Sequence, residues 1–166
     1  MIAIGDSSIL IPLARINQLH LLEEMYGGVF IPQGIYDEVV IRSAGKVGSE
    51  EVENDDFIHV EQVRDMDSVD EYVDPLTLED AEVILLAKEQ NADLILSNDR
   101  NLRRRALREG FVVSTIYVLL IEAKREGFLP AVKTCLDEMR NKGILIRKGI
   151  YQETLRQAGE LPNEEG

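Results

Sequence analysis

The sequence has little of several features that would place it in a specialised class. Its 166 residues contain no tryptophan and a single cysteine, Cys135, so no intramolecular disulfide can form. A chain without disulfides is typical of a reducing compartment, and we expect a cytoplasmic protein. No apolar run reaches the roughly 18 residues that cross a membrane, and residues 1–4 are too short for a signal peptide. We therefore expect a single domain over residues 1–166 that makes no use of membranes.

Several common catalytic motifs are also missing. The two histidines, His20 and His59, are isolated in the sequence, and no Cys–His pattern indicates a nucleophile or a zinc site. The stretch "GDSS" at residues 5–8 is not a Gly-x-Ser-x-Gly elbow, and there is no glycine-rich phosphate loop. Carboxylates are the groups that remain to be considered.

Positive charge is scarce in one long stretch of the chain. Residues 48–82 hold 14 acidic residues and one base, Arg64, so this stretch accounts for the whole net charge of −13. An acidic surface does not attract a polyanion, so any binding of nucleic acid requires a metal ion or a separate basic patch. For most of residues 48–74, a solvated acidic loop is the simpler interpretation.

A basic patch does exist in "NDRNLRRRALREG", residues 98–110. Helical spacing would place Arg100, Arg104 and Arg108 on one face. One interpretation is an RNA-binding surface formed by Arg100, Arg103 and Arg104. The other is a solvated helix face that pairs with the acidic stretch. No aromatic residues are interleaved, so a base-stacking surface is not indicated.

Short apolar runs alternate with helical patterns along the chain. Strands are predicted at residues 2–4, 29–31, 57–60, 93–97 and 111–113. Helices are predicted at residues 7–14, 18–26, 32–42, 78–90, 98–108, 115–126, 130–141 and 151–158, and residues 45–56 are predicted to be a loop. This alternation predicts an α/β fold with a parallel sheet of four to five strands flanked by helices, and with ligands at the carboxyl ends of the strands.

Two acidic residues stand where predicted strands end. Asp6 follows "IAIG" and Asp99 follows "LILSN". Either residue could instead cap the helix that comes next, because Asp is a favoured N-cap residue. For Asp6, Ser7 or Ser8 is an alternative cap that would leave the carboxylate free.

Two further acidic residues lie on apolar helix faces. At about 100° per residue, Asp80 falls within the apolar arc of helix 78–90, whereas Glu82 falls near 200° and is expected to point to water. Thr77 and Asp80 also match a capping box, which would occupy one carboxylate oxygen. Glu38 borders the buried face of helix 32–42, where either an arginine partner or a metal would be needed.

Together, Asp6, Glu38, Asp80 and Asp99 come from four elements and are predicted to face one cleft. Four carboxylates without nearby His or Cys clusters suit Mg²⁺ or Mn²⁺ and not zinc. Without a cation they would raise one another's pKa values, and with one they could activate water against a phosphodiester.

Three stretches of the sequence resemble the PIN-domain family of small metal-dependent ribonucleases, which includes VapC-like toxins. The first is "IGDSSILIPLARINQLHLLEEMYGGVFIPQGIYDEVV" and the second is "DAEVILLAKEQNADLILSNDRNLRRRA". The third is "STIYVLLIEAKREGFLPAVKTCLDEMRNKG", followed by "YQETLRQAGE". They are closest to a poorly characterised branch with a C-terminal helical extension. This implies a PIN-like core over about residues 1–128 and an extension over about residues 129–160.

The resemblance places the acidic set of the family on Asp6, Glu38, Asp80 and Asp99. It implies that Asp6, Asp80 and Asp99 bind Mg²⁺ or Mn²⁺, while Glu38 completes the site or orients the attacking water. Ser8, Ser97 and Asn98 are expected to support the site. Three positions depart from the branch: Glu79 stands where Gly is usual, Asn98 where Asp is frequent, and Asp80 where Glu is usual.

The implied activity is hydrolysis of RNA by a toxin-type protein that forms a homodimer and is paired with a small antitoxin. Two alternatives come from other functional classes. One is a non-catalytic PIN-like module whose acidic pocket binds a basic peptide. The other is a metal-dependent phosphatase for small phosphoesters.

Overall fold

The computed structural model of the protein describes residues 1–161, so residues 162–166 of the predicted domain lie outside the described part of the chain. Its centre is a five-stranded parallel sheet with the order β3-β2-β1-β4-β5. The strands are β1 Ala3–Gly5, β2 Val29–Pro32, β3 Ile58–Glu61, β4 Leu94–Leu96 and β5 Val113–Ser114. The prediction of an α/β fold with parallel strands is confirmed.

Helices cover both faces of the sheet, which is why β1 and β4 are entirely buried and apolar. The helices are α1 Ser7–Arg15, α2 Leu21–Tyr26, α3 Gln33–Tyr36, α4 Ser49–Asn54, α5 Leu78–Gln90, α6 Arg100–Arg108, α7 Ile116–Arg125, α8 Val132–Asn141 and α9 Lys148–Gln157. A π-helical turn, Asp37–Ile41, follows α3, and a 3₁₀ helix spans Met66–Glu71. No helix within residues 1–161 is long and apolar enough to cross a membrane.

The order of the strands creates a switch point between β1 and β4. From β1 the chain builds β2 and β3 on one side, and then crosses to build β4 and β5 on the other. Gly5 is in register with Leu96, so the residues that follow them, Asp6 and Ser97, emerge next to each other. In open α/β sheets, ligands bind in the crevice at such a point.

The prediction of a loop over residues 45–56 is wrong, because α4 lies within it. The Glu51 side chain accepts a hydrogen bond from the Gly48 backbone N–H at 3.0 Å and so caps the first turn. Val52 is buried and anchors the helix to the core. The high local density of acidic residues obscured this short capped helix in the sequence.

The helix predicted over residues 32–42 is present, but its second half is π-helical. The Arg42 N–H donates to the Asp37 carbonyl at 2.8 Å, which is the i→i−5 bond of a π-turn. Such turns are rare and are frequently found at functional sites. Smaller corrections concern element ends: α2 begins at Leu21 instead of residue 18, α9 begins at Lys148 instead of residue 151, and the last strand is Val113–Ser114.

Glu82 does not point to water, contrary to its position on the helical wheel. It is only 6% exposed, and every other residue of α5 from Ala81 to Ala87 is buried as well, so this part of the helix has no face in water. Its carboxylate lies against Gly34 in α3 and accepts a hydrogen bond from the backbone of that residue. Burial raises the pKa of Glu82, and the bond from Gly34 partly opposes that rise. Glu82 therefore fixes α3 to α5.

The C-terminal helices are fastened to the rest of the protein by Glu160. Its carboxylate accepts hydrogen bonds from the backbone N–H groups of Val132, at 2.7 Å, and Lys133, at 3.0 Å, at the start of α8. The same carboxylate binds the Lys124 ammonium of α7 at 3.1 Å. One acidic side chain thus joins α7, α8 and the end of the chain that follows α9.

We expect Gly34→Ala to lower the free energy of unfolding by about 1–3 kcal/mol, because a methyl group there displaces a buried carboxylate. A Cβ at residue 34 would lie 2.9 Å from the Cδ atom of Glu82. Urea unfolding followed by circular dichroism measures the change. Gly149→Ala in α9 is the matched control, since a Cβ there meets no atom within 4 Å, and helix propensity favours alanine. Equal stability of the two variants would contradict the proposed contact.

Candidate active site

A cavity of about 350 Å³ opens at the carboxyl ends of β1 and β4. Its walls bring together the ends of two strands, the start of α5 and the π-helical turn. All four predicted carboxylates line it. The lining residues are Asp6, Ser7, Ser8, Glu38, Arg42, Thr77, Glu79, Asp80 and Asp99.

Asp6 lies at the bottom of this cavity and is only 1% exposed. It occupies the N-cap position of α1, yet its side chain makes no cap hydrogen bond. Instead, Ser8 Oγ donates to Oδ1 at 2.6 Å and Ser97 Oγ donates to Oδ2 at 2.5 Å. The capping interpretation is therefore wrong for Asp6, and so is the expectation that Ser7 or Ser8 caps α1, because both residues lie inside that helix.

The two serines also tie the site to the chain that follows β4. Ser8 Oγ accepts from the Asn98 N–H at 2.8 Å, and Ser97 Oγ accepts from the Asp99 N–H at 3.0 Å. Asn98 Oδ1 in turn accepts from the Ile116 N–H at 2.9 Å, at the start of α7. The three predicted supporting residues thus form one hydrogen-bonded network around Asp6.

Asp99 does act as a helix cap, as the alternative interpretation predicted. Its Oδ2 accepts a hydrogen bond from the Leu102 N–H at 2.8 Å and so caps α6. Among the described residues, no hydrogen bond engages Oδ1. One carboxylate oxygen is thereby left for a ligand in the cavity.

Asp80 lies at the start of α5 and is half-buried. Thr77 Oγ1 accepts from the Asp80 N–H at 3.2 Å, which is the threonine half of the predicted capping box. The pKa of Asp80 is raised to about 6, mainly by burial. The negative charges of Asp99 and Glu38 add to this rise, and a hydrogen bond with Thr77 opposes it.

The pKa of Asp6 is raised further, to about 7. Burial is the main cause, and the charges of Asp80 and Asp99 contribute. The hydrogen bonds from Ser8 and Ser97 oppose this rise but do not cancel it. Asp80 and Asp99 line the same cavity as Asp6, so their charges add to the rise.

The π-helical turn places Glu38 and Arg42 on the cavity wall. Arg42 is the one basic residue in the described lining, and its Nη2 atom binds Glu79 Oε1 at 2.7 Å at the rim. Burial is the largest single influence on Glu79 and raises its pKa, but the bond and charge of Arg42, with hydrogen bonds from the backbone and Thr77, together lower the pKa overall. The arginine partner considered for Glu38 is not present within residues 1–161, where Glu38 forms no ion pair. Sequence analysis missed Arg42, although its spacing of four residues from Glu38 was a usable signal.

The donor chemistry of the cavity fits a divalent cation. None of Asp6, Glu38, Asp80 and Asp99 is paired with a basic side chain in the described part of the chain. Carboxylate oxygens are what Mg²⁺ and Mn²⁺ prefer. Over residues 1–161, however, no three His, Cys, Asp or Glu side chains are grouped closely enough to hold a metal ion.

The predicted basic patch divides into residues with different surroundings. Arg105 binds Glu109 at 2.9 Å and lies 4.3 Å from the centre of the Tyr72 ring, so it serves packing. Arg103 is half-buried, and its Nε atom has no hydrogen-bond partner among the described residues. Arg100 is exposed, while Arg104 lines a second cavity beside the first.

In open α/β sheets ligands bind at the switch point, and in this protein that edge carries four carboxylates without a basic partner among the described residues. The chain belongs to the PIN-domain family, since a family model described as a PIN domain matches residues 2–160. PIN domains are in general nucleases, usually use divalent metals and bind nucleic acid. Comparison with curated proteins gives no match. The predicted resemblance is confirmed, while the roles of the individual carboxylates stay a prediction.

We expect the metal-free protein to lose stability as the pH rises from about 4 to about 7. The folded state raises the pKa of Asp6 from 3.8 to about 7, so in this window the folded protein binds more protons than the unfolded one. At about 1.4 kcal/mol per pKa unit, Asp6 lowers the free energy of unfolding by up to about 4 kcal/mol. Urea unfolding at several pH values in the presence of a chelator measures this.

Asp6→Asn should reduce that dependence to the smaller part that Asp80 contributes, and should stabilise the protein at pH 8. Asp67→Asn, at an exposed position of the 3₁₀ helix, should leave it unchanged. A pH dependence that is the same in both variants would show that another group is responsible.

Proposed function

We propose that this PIN-domain protein is a Mg²⁺- or Mn²⁺-dependent endoribonuclease that hydrolyses phosphodiester bonds of single-stranded RNA. One observation carries the proposal: four carboxylates from four elements line one cavity at the switch point without a basic partner of their own. Such a site is costly unless a cation neutralises it. The chain belongs to a family whose members are in general nucleases, so we assign the cation a role in phosphodiester hydrolysis.

In this proposal Asp6, Asp80 and Asp99 are the metal ligands and Glu38 completes the site or orients the attacking water. A divalent cation held there would neutralise the carboxylates and lower the pKa of water that attacks the phosphodiester. Asp6 and Asp80 would have to be deprotonated to serve as ligands, and burial raises the pKa of both, so affinity for the metal should rise with pH. Ser8 and Ser97 hold the Asp6 carboxylate in place throughout.

Arg42 is suited to bind the phosphate of the substrate at the mouth of the cavity. A guanidinium group forms charge-assisted hydrogen bonds with phosphate, and this one is 56% exposed. Glu79 holds it in the absence of substrate. Because Glu79 stands where glycine is usual in the resembled branch, this competing ion pair is a particular feature of the chain.

The setting we propose is that of a toxin-type protein, dimeric and paired with a small antitoxin. The same acidic cavity would receive a basic segment of the antitoxin and exclude RNA. If this part of the proposal is correct, expression of the protein arrests growth, and the product of a neighbouring reading frame relieves the arrest.

The test of the proposed activity is cleavage of a labelled single-stranded RNA by the purified protein. We expect cleavage with Mn²⁺ or Mg²⁺ and none with excess chelator. Asp6→Asn should lower kcat by at least about 100-fold, because a ligand held by two serines is lost. Asp67→Asn should cleave as the wild type does.

Equal cleavage by Asp6→Asn and the wild type would overturn the proposal. A folded protein that neither cleaves RNA nor binds Mn²⁺ in calorimetry would favour the peptide-binding module. Turnover of a chromogenic phosphoester without RNA cleavage would favour the phosphatase.

We also expect Arg42→Ala to lower kcat/KM for RNA about 10-fold, because one charge-assisted contact with phosphate is lost. Arg42→Lys should recover part of the activity. Glu79→Gln should lower KM a few-fold, since it releases Arg42 and removes a negative charge from the rim. Steady-state kinetics on the same RNA gives these values, with Arg125→Ala, an exposed position of α7, as the control. The role of Arg42 is excluded when Arg42→Ala and Arg125→Ala behave alike.

A further inference from the structure

A second cavity, of about 460 Å³, lies along α6 and is separate from the acidic one. Its size is within the range of small-molecule and cofactor sites. Its walls combine two arginines, one amide side chain and two apolar residues. The lining residues are Pro75, Asn101, Arg104, Leu107 and Arg108.

The two cavities adjoin each other along two segments of the chain. Asp99 lines the acidic cavity, and Asn101, two residues further on, lines the second. Thr77, which lines the acidic cavity, and Pro75, which lines the second, are likewise two residues apart. At about 1.5 Å per residue, the residues of α6 that line the second cavity, from Asn101 to Arg108, lie about 3 Å to about 14 Å from Asp99 along the helix axis.

Arg104 and Arg108 are free to meet a ligand. They are four residues apart, so they lie one above the other on the same face of α6. Within residues 1–161 neither forms an ion pair, whereas their neighbour Arg105 is bound by Glu109. In a chain with a net charge of −13, two unpaired guanidinium groups that line one cavity are a strong indication of an anionic ligand.

The remaining wall residues suit the neutral parts of a nucleotide. The Asn101 amide both donates and accepts hydrogen bonds, as the edge of a base does. Leu107 is 60% exposed, and with Pro75 it offers an apolar surface. An acidic peptide would use the arginines but would have no reason to continue into the carboxylate cavity next to them.

We infer that this second cavity is a subsite for one nucleotide of the single-stranded RNA, directly beside the bond that is cleaved. Arg104 and Arg108 bind backbone phosphates, Asn101 contacts the base edge, and Pro75 and Leu107 pack against the base. The inference rests on the proposed function and adds the path of the substrate to it. Of the arginines predicted to bind RNA, this subsite includes Arg104 but not Arg103, and it adds Arg108.

The test compares two double variants of the full chain that lose the same charge. The first variant, Arg104→Ala with Arg108→Ala, removes both positive charges from the subsite. The second, Arg125→Ala with Arg147→Ala, removes two exposed arginines elsewhere. Fluorescence anisotropy gives the Kd for a labelled ten-nucleotide RNA in chelator, at several salt concentrations. Cleavage of the same RNA with Mn²⁺ gives kcat/KM, and circular dichroism checks the fold.

We expect the subsite variant to bind RNA at least about 10-fold more weakly and its salt dependence to fall by about 1.4 logarithmic units per decade, for two phosphates of a single strand. The control should change Kd less than two-fold. Asn101→Ala and Leu107→Ser should weaken binding of intact RNA a few-fold, but not of an RNA whose bases are removed.

The outcomes separate this inference from the proposed function. Normal cleavage by the wild type, with equal Kd and kcat/KM in both double variants, would overturn the subsite and leave the nuclease intact. RNA binding that depends on Arg104 and Arg108, without any cleavage by the wild type, would support the subsite and overturn the nuclease. Binding of polyglutamate through these arginines, without binding of RNA, would overturn the subsite in favour of an acidic protein partner.

Discussion

Burial of the Asp6 carboxylate between β1 and β4 is the constraint on which the rest of the site depends. The register of the two strands sets Asp6 beside Ser97, and the hydrogen bonds from Ser8 and Ser97 hold it there. The same serines fix the backbone at Asn98 and Asp99, so the second acidic strand end is positioned by the first. Burial raises the pKa of Asp6 although the two serine hydrogen bonds oppose the rise, so a cation near the carboxylate would favour its charged form.

The charge of the chain limits how RNA can approach. A protein with a net charge of −13 repels a polyanion at long range, so attraction has to come from local groups. In the structure such groups lie next to the carboxylates: Arg42 at the rim of the acidic cavity, and Arg104 and Arg108 in the cavity beside it. Arg42 is already bound by Glu79, whereas Arg104 and Arg108 form no ion pair within residues 1–161.

Sequence patterns predicted strand ends and faces better than they predicted contacts. Asp6 and Asp99 looked alike in the sequence, yet only Asp99 caps its helix, because Asp6 is turned toward Ser97 from another strand. The helical wheel failed for Glu82, since the middle of α5, from Ala81 to Ala87, is buried on all sides and a wheel assumes one face in water. Likewise, Arg103 and Arg104 are adjacent in the sequence, but only Arg104 lines the second cavity.

The sequence by itself determined the alternation of strands and helices, the parallel sheet, the family, and the four acidic residues to be examined. These features follow from local periodicity and from residue type, which are properties of neighbours along the chain. Only the tertiary structure decided which oxygens are occupied, that Arg42 pairs with Glu79, and that a basic cavity adjoins the acidic one. Several of those facts depend on distant residues meeting in space, such as Asp6 with Ser97 and Arg42 with Glu79, and no local pattern encodes such contacts.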